Sequence, residues 1–183
     1  VFEIFEAALE EHGFRFTDTV CTWFFLDRLL EWYAAFNAVR TEFFTERGVF
    51  ARLVPASTGI GAGNPWGAAL TGDLLAIQPK SGLVRVRSVP SPLQAPALNY
   101  RSSFSRAVEV EFPTHRALYI SGTASIDVEG KTAHVGDVER QIGLTLRVVT
   151  ALLQSRGMRW EDVTRGIAYF ENADVKGATA QVE

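Results

Sequence analysis

The sequence predicts an α/β protein, an α+β sandwich of two similar halves, each a mixed sheet packed on helices. Three observations carry this prediction. Helical and strand-like periodicities alternate along the chain. A helix–turn–strand stretch near the N-terminus recurs in the same residue order near the C-terminus. A proline-rich stretch without periodicity, VPSPLQAPAL, lies between them. With 183 residues, 47% of them hydrophobic and 21% charged, the chain has enough apolar material for such cores.

The first element is a helix with apolar Phe5, Ala8 and Leu9 on one face, closed by Gly13. A short loop with Asp18 leads into the apolar strand TVCTWFFL. At an offset of 144, which sets Gly13 on Gly157, the same order recurs. Val149, Leu152 and Leu153 form the helix face, Gly157 ends it, Asp162 lies in the loop, and VTRGIAYF at 163–170 is the expected strand. Between the copies, Asp27 to Arg47 is a second amphipathic helix, with Leu29, Leu30, Tyr33, Phe36, Val39, Phe43 and Phe44 near the 3.6 period and Gly48 as its stop. Residues 68–78 and 83–87 read as strands. Strands at 104–111 and 117–121 form a hairpin across FPTH, a loop follows around Glu129 and Gly130, and Asp137 caps a helix running to about Arg156. The expected organisation is therefore a first half over 1–88, a linker over 89–99 and a second half over 100–183. Each half is incomplete: the first lacks an opening hairpin, and the second stops within a further helix expected over ADVKGATAQVE. The chain reads as a piece of a longer protein.

Composition narrows the function. A net charge of −3 leaves no electrostatic footprint for nucleic acid. The single cysteine, Cys21, permits no intrachain disulfide and fits a cytoplasmic setting. His12, His115 and His134 are widely spaced and form no metal-ligand pattern, so no metal and no cofactor is expected. No apolar run is long enough to span a bilayer. The glycine-rich GIGAGNPWG at 59–67 lacks the GK[ST] of a phosphate loop and reads as a flexible bend or pocket rim. The four tryptophans read as core or interface residues.

The run SGTAS at 121–125 is the clearest candidate site. Gly122 and Ala124 would let a ligand approach the backbone, and Ser121, Thr123 and Ser125 offer hydroxyls to a small polar molecule. Arg101, Phe104, Ser105 and Arg106 enter the same hairpin, and the two arginines supply positive charge for a carboxylate. The bland reading is that these hydroxyls cap strand ends. His134 is the candidate proton donor.

Several of these stretches resemble one family. Phe104-Ser105-Arg106-Ala107, Ile120-Ser121-Gly122-Thr123, Gly136-Asp137 with Gln141, and Asp162-Val163 with Phe170 resemble the recurring pattern of the RidA/YjgF superfamily, also labelled L-PSP endoribonuclease or translation-initiation inhibitor. The resemblance implies a chorismate-mutase-like α/β sandwich, homotrimers with pockets at the interfaces, and hydrolysis of reactive enamines or imines through a substrate-clamping arginine. Ser57 of Pro55-Ala56-Ser57-Thr58 stands at that arginine's position. The run Ser121 to Ile126 followed by His134-Val135-Gly136-Asp137 is also similar to the second half of chorismatases, tandem members that hydrolyse the enol ether of chorismate. That similarity implies a catalytic acid from a segment beyond Glu183. Two functions follow as expectations. One is an enzyme acting on a small carboxylate-bearing enol, enamine or imine; the other is a catalytically silent binding or regulatory protein that keeps the pocket. An RNase role finds no basic groove and no paired histidines.

Overall fold

In the computed structural model, which describes residues 1–127 and 129–170, helix α1 (Phe2–Glu11) precedes strand β1 (Thr19–Leu26) and helix α2 (Leu29–Glu46). Strands β2 (Ala56–Gly61), β3 (Leu70–Ala76), β4 (Arg85–Val89), β5 (Ala107–Glu111) and β6 (Arg116–Ile120) follow, and then helix α3 (Val138–Ser155). The residues group into two compact units. One holds Val1–Pro90 and Pro96–Gly122; the other holds Ser91–Ala95 and the residues from Thr123 on.

Both sheets belong to the first unit. In one, β1 is central, parallel to β2 and antiparallel to β3. The other is the antiparallel meander β4-β5-β6. A two-residue side-chain period gives β1 two apolar faces. Phe24 and Leu26 pack with Phe2, Leu9, Phe36, Phe43 and Phe44 of the helices in an aromatic core. Cys21, and Val20 where the register shifts between Thr19 and Cys21, pack with Val108 and Val110 of β5, so the meander covers the other face. Burial in that second core pushes the Cys21 thiol up to about 12, which makes it inert at neutral pH.

The two sheets meet along β2. Ala56 bridges Ser105, and the Ser105 amide donates to the Pro55 carbonyl (2.9 Å). β2 reaches into the glycine-rich stretch: Gly59, Ile60 and Gly61 pair in register with Phe24, Phe25 and Leu26, so the start of that stretch is strand rather than bend. A Cβ built on Gly61 would lie in ordinary contact with Leu29 of α2, 3.5 Å away, so β2 runs close under the start of that helix. The rest of the stretch is a loop in which Asn64 Oδ1 accepts from the Trp66 and Ala68 amides. It holds Trp66 at 79% exposure, so this tryptophan is not a core residue.

The two helix ends 144 residues apart make the same bonds. The Leu9 carbonyl accepts from the His12 and Phe14 amides, and the Leu153 carbonyl from those of Arg156 and Met158. Gly13 and Gly157 both have positive φ (77° and 66°), the conformation glycine adopts without strain. Asp18 Oδ2 accepts from the Arg15 amide at 2.9 Å, and Asp162 Oδ2 from the Arg159 amide at 2.8 Å. Beyond this point the likeness stops. Residues 163–170 pair with nothing among the described residues and form no strand, with Val163, Ile167, Tyr169 and Phe170 exposed. A strand needs ladder partners, and none of the described residues supplies one here. The helix expected over ADVKGATAQVE lies outside the described residues. Asp137 caps α3 as expected, its Oδ1 accepting from the Arg140 amide (3.0 Å).

Candidate functional site

The first unit contains a buried basic and aromatic cluster. Tyr33, Phe36, Asn37, Arg40, Thr41 and Phe44 recur at three- and four-residue intervals along one face of α2. Arg40 is 2% exposed. Its Nη1 donates to Ser57 Oγ on β2 (3.3 Å) and its Nη2 to Asn37 Oδ1. Thr22 Oγ1 of β1 donates to the same Ser57 oxygen (2.9 Å). The guanidinium carbon lies 5.2 Å from the Phe36 ring centre and 5.7 Å from that of Phe104. Arg40 Nε has no hydrogen-bond partner, and no carboxylate among the described residues pairs with this arginine. Burial pushes its pKa down to about 10, against the pull of the Tyr33 and Tyr100 phenols, so it stays charged at neutral pH.

A second arginine arrives from the chain before β5. The 3₁₀ turn Ala97–Tyr100 ends at Arg101, which is left-handed (φ 60°), and the chain then runs through Ser102 to Phe104. Ser103 Oγ lies 2.7 Å from Thr41 Oγ1, which ties this segment to α2. Arg106, 6% exposed, sits over the Tyr100 ring (5.4 Å) and the Phe104 ring (5.6 Å). Burial raises the Tyr100 pKa, opposed by the Arg106 charge beside it. Two guanidiniums thus share the Phe104 ring in a desolvated setting. Such an arrangement suits a small anion with an apolar body: cation–π contacts hold the arginines, and their remaining N–H groups are strong carboxylate donors.

The candidates from the sequence divide accordingly. Phe104 and Arg106 belong to the cluster. Arg101 does not: its left-handed backbone sends it to the surface, where it is exposed. Ser105 and Ser121 serve the fold. Ser105 Oγ donates to the Val54 carbonyl (2.7 Å), while Ser121 Oγ donates to the Ser105 carbonyl and accepts from the Ser57 amide (2.9 Å). Gly122 is bare for a reason other than ligand approach. Its amide donates to the Ser57 carbonyl and to Thr58 Oγ1, and an added Cβ would meet Thr58 Cγ2 at 3.0 Å. The Gly122→Ala variant is therefore expected to lose about 1–2 kcal/mol of stability in a urea titration, from overpacking against β2; an unchanged midpoint would contradict this close approach.

The remaining candidates lie in the second unit. Thr123 is half-buried and Ala124 exposed, with the Ala124 carbonyl accepting from Gln94 Nε2 (3.1 Å). Ser125 is buried, and its Oγ donates to the Ala133 carbonyl (3.0 Å). His134 is exposed and left-handed (φ 58°), and its carbonyl accepts from Gln141 Nε2 and the Asp137 amide. Its visible role is to shape the turn before α3. Among the described residues no group of acidic, histidine or cysteine side chains is arranged to hold a metal, and no helix is long and apolar enough to cross a membrane.

Sequence reasoning missed Arg40, Asn37 and Tyr100. A signal existed: Arg40 falls four residues after Phe36 and four before Phe44, so a charged residue stands on the apolar face of an amphipathic helix.

No protein-family model matches this chain. A chorismatase of Streptomyces hygroscopicus is 31% identical to it over 144 residues, which make up 75% of this chain and 40% of that protein. The crystal structure of a chorismatase superposes with a TM-score of 0.68 at 24% identity, covering 91% of this chain and 52% of the other. The chain thus has a chorismatase-like fold and spans about two fifths of the length of that curated relative.

Proposed function

We propose that this chain is part of a RidA-superfamily hydrolase of chorismatase type, in which the Arg40–Arg106 cluster binds a small carboxylate-bearing enol ether. The observation that carries the reading is Arg40, a fully buried cation whose Nε is unpartnered and which no described carboxylate neutralises. A buried charge is costly unless something pairs with it, and a substrate carboxylate supplies that partner. The similarity to a chorismatase points to chorismate as the first substrate to test. In its hydrolysis the enol methylene carbon gains a proton, water adds at the ether carbon, and the C–O bond breaks to release pyruvate. Arg40 and Arg106 hold carboxylate in that scheme, and Phe104 packs on the substrate body and excludes water. The homotrimeric assembly and cytoplasmic location implied by the RidA resemblance form part of the same proposal.

A second reading, a silent binding protein, is favoured by His134: the one histidine singled out as a proton donor is exposed and engaged only through its backbone. One experiment separates the two. The protein is incubated with chorismate while pyruvate is followed through a coupled lactate dehydrogenase assay, and thermal unfolding is recorded with and without chorismate. Pyruvate release that collapses in Arg106→Gln is the expected result. A chorismate-dependent rise in Tm without pyruvate selects the silent binder. No release and no Tm shift would sink both.

A further inference from the structure

The first unit has a second concavity that the cluster above does not use. A cleft of about 330 Å³ lies between α1, the 3₁₀ turn Phe16–Asp18 and the end of α2. Glu6, Glu10, Arg15, Thr17, Arg47 and Arg52 line it. Two of these charges satisfy each other: Arg47 Nε and Nη2 donate to the two oxygens of Glu6 at 2.7 and 2.9 Å, a bidentate pair. The other three do not. Among the described residues no ion pair engages Arg15, Arg52 or Glu10, although they share one cleft. Thr17 Oγ1 is buried without a hydrogen-bond partner, a cost the fold bears unless something else accepts or donates there.

We propose that this cleft binds a small amino acid as its zwitterion. The carboxylate lies against the guanidiniums of Arg15 and Arg52, and the ammonium lies against Glu10. A plain anion would leave Glu10 facing it and repelling it. A plain cation would leave two guanidiniums unmet. A ligand carrying both signs answers all three charges, and the volume suits a molecule of this size. The cleft is lined by residues apart from the Arg40 cluster, so this proposal stands or falls independently of the one above.

The test compares L-norvaline with pentanoate, which differ by the ammonium group alone, in ¹H–¹⁵N spectra of the whole chain. Norvaline is expected to shift the Thr17 and Arg15 amides saturably and to bind about threefold or more tighter than pentanoate, the scale of an exposed ion pair. In Glu10→Gln, an exposed substitution, that preference should vanish while pentanoate binding stays or improves. Arg52→Gln should weaken both ligands. Equal affinity for norvaline and pentanoate in the unaltered protein would overturn the zwitterion assignment in favour of a plain anion site. A preference that survives Glu10→Gln, or no saturable shift at these amides, would overturn the site.

Discussion

Replacing Arg40 with methionine is expected to leave the protein about as stable as before, while chorismate binding falls by about thirtyfold or more. The two effects have opposite physical origins. Without ligand, Arg40 is a desolvated cation whose pKa burial pushes down to about 10. Relative to an apolar side chain of similar size it holds the fold back, and exchanging buried charge for methionine is often neutral or stabilising. Ser57 Oγ keeps the hydrogen bond from Thr22 and the Phe36 and Phe104 rings accept a thioether, while Asn37 Oδ1 loses its donor, which offsets part of the gain. With ligand, the same guanidinium is a charge-assisted donor to a carboxylate out of water. Losing one partner of such a pair costs about 2–5 kcal/mol, or roughly thirtyfold to several thousandfold in affinity. The measurements are urea unfolding of both proteins and calorimetric titration with chorismate. If Arg40→Met unfolds far more easily and the intact variant still binds, Arg40 is a structural residue and the proposed function loses its central observation. The unliganded protein should also gain stability between about pH 10 and 12. A lowered folded-state pKa means the unfolded chain binds more protons over that interval, so stability rises with pH there.

Phe24→Ala is expected to be the most damaging single truncation in the first unit, costing about 3–5 kcal/mol. Phe24 is 1% exposed on the central strand, and its ring lies 5.6 Å from Phe2, 6.0 Å from Phe5 and 5.1 Å from Phe36. Alanine removes the ring that joins β1 to both helices and leaves a void that packed neighbours cannot collapse to fill. A domain holds only about 5–15 kcal/mol in all, so Tm should fall by roughly 10 °C or more. Phe24→Leu, which keeps most of the volume, should cost far less. A loss below about 1 kcal/mol for the alanine variant would mean this aromatic cluster is not the core that carries the unit. The effect on chorismate binding should follow stability alone, unlike that of Arg40→Met.

Much of the local structure was legible before any coordinates. The helix ends at Gly13, Gly48 and Gly157 and the Asp137 cap rest on interactions within a few residues, which sequence spacing records directly. The buried face of α2 was legible only in part, since Leu30 and Val39, placed on it, are exposed. The helix-end repeat at an offset of 144 is legible because it too is local. Its continuation as a strand at 163–170 was not, because a strand exists only through partners, and those are set by chain far away in sequence. The end of β2 was hidden likewise: Gly59-Ile60-Gly61 has the composition of a loop, and only pairing with Phe24–Leu26 makes it a strand.

The candidate site divides along the same line. Residue chemistry singled out Arg106 and the SGTAS run as candidates, and the family resemblance singled out Phe104; Arg106 and Phe104 lie in the buried cluster. What the small residues of that run are required for was decided by tertiary structure. Ser121 and Gly122 press against Ser57 and Thr58 of β2, a contact spanning more than sixty residues, so their size answers to the chain itself. Arg40 became a candidate site residue only when α2 laid its apolar face on β1 and β2 and brought a guanidinium to Ser57 and Phe104. Local periodicity dictates which side of a helix is buried. Which distant side chains meet there depends on packing against the sheet, and it was that packing which placed an unneutralised charge in the core.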